Sequence, residues 1–266
     1  MSSGIENPLP SDRPFPPPQI SDLLVLTLTA AYGMTWTGAF PVDQPTGGAD
    51  WRARLEEAAA MLVPGLLIGV ELFGFAVVVR ELVRGRRLKS LAPGHWWFLI
   101  AGPQNLLGGT NYLFAILGSA WFENQQGLWR MIECLSDAAF YGCFAALWFW
   151  AATHFRGWPW RAVLGLKALE QLVWFAYRFH RAFRGFAWVP RISFVPFFGL
   201  MGTIHICMIL SVIVAALVDR RMGNRRDWLH HMAGIAIVAE SLHFLFGGLG
   251  ASTVHWWSEI WFRLVG

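Results

Sequence analysis

The sequence predicts an all-α protein, a polytopic transmembrane bundle of about seven membrane-spanning helices. Three observations carry this. Only 14% of the 266 residues are charged, against 55% hydrophobic, with a mean hydropathy of +0.43. A soluble domain carries about 25% charged residues, so this chain has too few to coat a surface facing water. Sixteen Trp and twenty-one Phe add to the apolar excess, and aromatic rings collect where membrane meets water. Finally, the chain divides into apolar runs near the roughly 20 residues that a bilayer of about 30 Å demands.

Seven such runs follow one another. Residues 1–19 form a Pro-rich tail with Glu6, Asp12 and a single cation, Arg13; it lacks the basic leader of a secretory signal, so Ile20–Phe40 reads as an uncleaved first helix. The second, Ala58–Val79, holds Glu71 in "LLIGVELFGF". The third, His95–Phe122, contains "AGPQNLLGGTNY", where Pro103 and Gly108–Gly109 predict a broken helix lined by Gln104, Gly108 and Asn111. Leu128–His154 is the fourth, with Glu133 and Asp137 four residues apart on one face. Arg161–Tyr177, the shortest and most polar, carries Lys167, Glu170 and Gln171. His205 lies central to the sixth, Ile192–Val218. The seventh, Leu229–Gly250, ends in "IVAESLHFLFGG" with Glu240 and His243. Residues 20–266 therefore read as one transmembrane domain with no room for a separate soluble one. The net charge of +4 and pI near 9.3 reflect membrane topology rather than a nucleic-acid partner.

Lysine and arginine in short loops mark the cytoplasmic side. Twelve basic residues fall on one side of a seven-helix arrangement: Arg13, Arg80, Arg84, Arg86, Arg87, Lys89, Arg156, Arg161, Arg220, Arg221, Arg225 and Arg226. Eight fall on the other: Arg52, Arg54, Arg130, Arg178, Arg181, Arg184, Arg191 and Arg263. The expectation is a bacterial-type cytoplasmic membrane with the N-terminus inside and the C-terminus outside. Arg178, Arg181 and Arg184 recur every third residue and read as a stripe for lipid headgroups, or for an anion. The three cysteines do not form a disulfide framework: Cys134 and Cys143 lie nine residues apart on one helix, about 13 Å along its axis.

Glu71, Glu170, His205, Glu240 and His243 all fall near the centres of their predicted helices. An unpaired charge at that depth costs at least about 2.5 kcal/mol. Such groups face inward and satisfy one another, which predicts a polar cluster at the bilayer midplane, joined off centre by Glu133, Asp137, Gln104 and Asn111. Each group also has a plainer reading: Lys167 and Glu170, at i and i+3, neutralise one another, and the amides hold helices together. Glu-x-x-His on an inward face is the spacing of carboxylate-bridged metal bundles, so Glu240, His243, His205 and Glu71 form a candidate set for a divalent metal. The usual second Glu-x-x-His pair is missing. Paired carboxylates beside an imidazole equally suit a proton relay. No nucleophile elbow, zinc-protease motif, phosphate loop or dinucleotide fingerprint stands in the sequence.

Three function classes follow, in this order: a carrier or channel for a small solute or ion, perhaps proton-coupled; an intramembrane metal-dependent enzyme acting on a lipid or quinone-like substrate; and a non-catalytic scaffold or assembly partner.

Overall fold

The computed structural model describes residues 15–38, 51–121, 126–155, 157–183, 194–223 and 226–248; within these, the side chains of 34–38, 51–61, 110–121, 126, 194–196 and 247–248 are excepted. Among the described residues seven α-helices follow in order: α1 Ile20–Gly38, α2 Trp51–Val83, α3 Pro93–Trp121, α4 Gln126–Thr153, α5 Trp158–Phe183, α6 Phe194–Arg221 and α7 Trp228–His243. Each coincides with one of the seven apolar runs. Apolar sequence that would strand its backbone N–H and C=O groups in lipid must pair them internally, and the helix does so within one segment. Among the described residues, four stretches are long and apolar enough to cross a membrane: Leu62–Val83, Gly127–Thr153, Phe197–Arg221 and Trp228–Phe246. The chain is a multi-pass, all-helical membrane bundle.

Successive helices pack on one another, α1 on α2 through α6 on α7, and α7 also reaches α2 and α3, closing the bundle. Small residues set the tightest contact. A Cβ on Gly33 of α1 would overlap the Gly65 carbonyl of α2, and one on Gly69 would lie 2.8 Å from the Ala30 backbone nitrogen. Gly65 and Gly69 are four apart, the spacing that lets membrane helices approach backbone to backbone where dispersion drives association. Elsewhere the core is aromatic. Trp97 and Trp148 are fully buried and meet with ring centroids 4.8 Å apart.

Two expected features differ. The third helix is continuous through Pro103 and Gly108–Gly109; Pro103 lacks the N–H for one backbone hydrogen bond, and the helix carries on past it. The seventh helix keeps α geometry only to His243 and widens into a π turn over Phe244–Gly248. There the Phe244 N–H is shared between the Glu240 and Ser241 carbonyls.

The α2–α3, α4–α5 and α6–α7 connections gather at one end, where they line a cavity of about 500 Å³ with Lys89, Ser90, His154, Trp160, Asp219 and Arg226. Gly85 and Gly223, both with positive φ (96° and 67°), end α2 and α6 there, a conformation that glycine adopts without steric cost. The N-terminal segment docks on the same end: Phe15 is buried against His95, and Trp228 Nε1 donates to the Pro16 carbonyl at 2.8 Å.

Candidate functional site

The central polar cluster is built around Lys167 of α5. Its ammonium lies 2.9 Å from Glu170 Oε2, one turn along the same helix, and donates to Glu240 Oε1 of α7 at 2.6 Å. It also sits 5.4 Å from the centre of the Trp97 ring. Trp97 Nε1 in turn donates to Glu71 Oε1 of α2 at 3.1 Å, while Asn105 Nδ2 donates to Glu71 Oε2. Lys167, Glu170 and Glu71 are all buried; the Glu240 side chain is 30% exposed.

Helical spacing places these groups. Trp97, Gln104 and Asn105 recur at seven and eight residues, so two turns of α3 present them along one face. Lys167, Glu170 and Gln171 occupy positions i, i+3 and i+4 of α5. An amide chain runs beside the charges: Trp148 Nε1 donates to Gln104 Oε1, and Gln104 Nε2 to Gln171 Oε1, both at 3.0 Å. His205 of α6 is 1% exposed; its Nδ1 lies 3.2 Å from Ser241 Oγ, and its ring stacks on Phe244 at 4.1 Å. His205 Nε2 and Glu240 Oε2 are both buried with no hydrogen-bond partner among the described residues.

Glu71, Glu170, Glu240 and Gln104 are thus drawn into one network, and His205 joins its edge through Ser241. The neutralisation of Glu170 by Lys167 is realised, and Lys167 bridges to a second carboxylate as well. His243 is half-buried at the rim. Glu240 faces inward on the same side of α7 as Ile237, three residues back, which is fully buried. Asn111 has its side chain outside the described set.

The four-residue metal set is not assembled. Among the described residues no three His, Cys, Asp or Glu side chains are arranged to hold a metal ion. Lys167 stands between Glu170 and Glu240, and an ammonium there repels a divalent cation.

Off centre, Asp137 of α4 meets Arg178 of α5 at 3.0 Å, with Glu133 half-buried one turn away. Arg178 is therefore engaged by a carboxylate of the protein rather than projecting to lipid alone. Arg181 lies 5.7 Å from the centre of the Tyr177 ring. Arg184 falls outside the described residues.

A second buried network, missed in the sequence, closes the charged end. His95 Nδ1 accepts from the Ala92 N–H at 3.0 Å, so Nε2 carries the proton and donates to Asp227 Oδ1 at 2.9 Å. His230 Nδ1 accepts from the Gly94 N–H at 3.0 Å, turning its Nε2 toward Asp219 Oδ2 at 3.5 Å. Asp219 also takes two bonds from Arg226, at 2.8 and 3.0 Å, and one from Trp160 Nε1 at 3.2 Å. Asp227 caps α7 by accepting the His230 N–H. Burial disfavours its charge, yet the His95 bond and the backbone N–H groups of His230 and Phe15 outweigh burial and hold its carboxyl below the usual range. The only cue was "DRRMGNRRDWLHH", acids set among arginines before a helix; nothing local links it to "PGHWW" more than a hundred residues earlier.

No known protein family, curated protein or solved structure matches this chain. Function is therefore argued from the geometry.

Proposed function

We propose that this protein moves a small solute or ion across the membrane, with the Lys167–Glu170–Glu240–Glu71 cluster as its binding station near the bilayer midplane. One observation carries the reading: two carboxylates, Glu170 and Glu240, meet a single ammonium inside an apolar bundle, and a third, Glu71, is held beside them by Trp97, whose ring lies 5.4 Å from that ammonium. A purely structural pair needs one of each. A buried carboxylate without a cation of its own is costly to ionise, and a site that gains and loses a cation or proton during a cycle accounts for the surplus of acids over ammonium. The basic end, with Arg80 to Lys89, Arg220, Arg221 and Arg226, faces the cytoplasm in this reading.

The scaffold alternative has a specific observation in its favour. The Trp148–Gln104–Gln171 chain and the Asp137–Arg178 pair satisfy one another across helices, as interhelical glue does. No comparable arrangement of metal ligands stands among the described residues in favour of the metal-dependent enzyme.

Proteoliposomes adsorbed on a solid-supported membrane separate the first two. Steps in proton, sodium, potassium and ammonium concentration are expected to displace charge, and Glu240→Gln, which keeps shape and removes charge, is expected to abolish the signal. No protein-dependent charge movement with any ion, together with a Glu240→Leu variant as stable as the parent, overturns the transport reading in favour of the scaffold.

A further inference from the structure

We propose that the cavity at the charged end of the bundle binds the phosphate group of an anionic lipid, with Lys89 and Arg226 as its cationic contacts. The inference is separate from the ion-handling reading of the central cluster and needs only that the bundle lies in a membrane.

The cavity holds about 500 Å³, within the range of about 300–1,000 Å³ common to ligand sites. Its lining brings two cations and one acid together, Lys89, Arg226 and Asp219. The acid is already spent. Asp219 Oδ1 accepts from Arg226 Nη2 at 2.8 Å, and Oδ2 accepts from Arg226 Nε at 3.0 Å and Trp160 Nε1 at 3.2 Å. That grip uses one edge of the guanidinium and leaves Nη1 without a bond among the described residues. The Lys89 ammonium has no ion pair or hydrogen bond among them at all. Its neighbours differ: Arg80, Arg84 and Arg86 are engaged by Asp22, Glu81 and the Phe15 ring. The cavity therefore presents one ammonium and one open guanidinium edge.

Both groups only donate, so their ligand is a negatively charged acceptor. Phosphate offers several such oxygens, and arginine and lysine are its usual contacts. Backbone donors at the start of α3 are not on offer, because the Ala92 and Gly94 N–H groups are taken by the His95 and His230 rings. The surroundings select a lipid as the bearer of the phosphate. Leu91, Phe155, Val218 and Met222 form an apolar wall beside the charges. Met222 is 70% exposed, and Trp158, between the lining residues Gly157 and Pro159, is 64% exposed. Exposed tryptophan among cations marks the depth of the headgroups, and basic recesses between membrane helices take anionic headgroups. A free anion would leave the apolar wall unused.

The test titrates the full-length protein in neutral detergent with phosphatidylglycerol or with zwitterionic phosphatidylcholine, and follows thermal unfolding. Inorganic phosphate forms a separate arm. Saturable stabilisation by phosphatidylglycerol, and none by phosphatidylcholine, is expected. Lys89→Gln should weaken the apparent affinity about tenfold, and Lys89→Arg should restore it. Arg220→Gln removes the same charge from an exposed residue at the same end, outside the cavity lining, and should change the affinity by less than about twofold. Because Lys89 is exposed, its variants are expected to match the parent midpoint without lipid. Equal losses in Lys89→Gln and Arg220→Gln overturn the site in favour of diffuse surface attraction. Equal stabilisation by the two lipids overturns it as well. If inorganic phosphate stabilises the protein through Lys89 and phosphatidylglycerol does not, the ligand is free phosphate and the lipid assignment falls.

Discussion

Removing the one cation of the central cluster is the most informative perturbation. Lys167→Met keeps the length and apolar stem of the side chain but deletes an ammonium held at 2.9 Å from Glu170 and 2.6 Å from Glu240. The Lys167 and Glu170 side chains are 5% and 7% exposed, so this pair behaves as a buried one. Breaking such a pair from one side costs about 3–5 kcal/mol, because a charge is left without its partner. The Glu240 side chain is 30% exposed, and water screens its share, so the lower end, about 3 kcal/mol, is the expected loss. For a chain of this size that corresponds to roughly 6–12 °C in midpoint. The cost lies mainly in the orphaned carboxylate, so adding Glu170→Gln to Lys167→Met is expected to recover more than half of it. Thermal unfolding in detergent of the parent, both single variants and the double variant completes the cycle. A Lys167→Met protein as stable as the parent, or strictly additive losses, would refute the buried-pair argument.

Asp227→Ala removes the α7 cap and the acceptor of His95, and a loss of about 2 kcal/mol is expected in the same assay. The pH dependence has a definite sign. The folded carboxyl titrates below its unfolded value, which is about 3.9; its contribution is therefore complete above about pH 4 and is lost as pH falls through the folded value. Parent and variant should converge in strong acid, and a constant gap down to pH 2 contradicts the assignment. Gly94→Ala pushes a methyl to within 2.8–2.9 Å of His230 backbone and ring atoms; overpacking of about 1–3 kcal/mol follows, and an unchanged midpoint would mean the α3–α7 contact is looser than described. Cysteine labelling near Gly85, Gly157 and Gly223 in sealed vesicles should report one common side, the cytoplasmic one. Accessibility from opposite sides would overturn the proposed orientation.

The sequence by itself determined the class and the element order. Apolar runs of membrane length must be helical because lipid supplies no partner for the backbone, so Ala58–Val79 or Ile192–Val218 needed no tertiary information to be recognised. It also marked Glu71, Glu170, His205 and Glu240, since a titratable side chain in an apolar run is conspicuous wherever it ends up. Tertiary structure decided the pairing. Lys167 looked like the private counter-ion of Glu170 and is in fact shared with Glu240, seventy-three residues away; helical periodicity gives the direction of a side chain but not which helix it meets. Pro103 looked like a break and is carried inside a continuous helix. The His95–Asp227 and Gly94–His230 bonds were invisible for the same reason. Each joins residues more than 130 positions apart, and only the packing of α7 against α3 brings them within hydrogen-bonding distance.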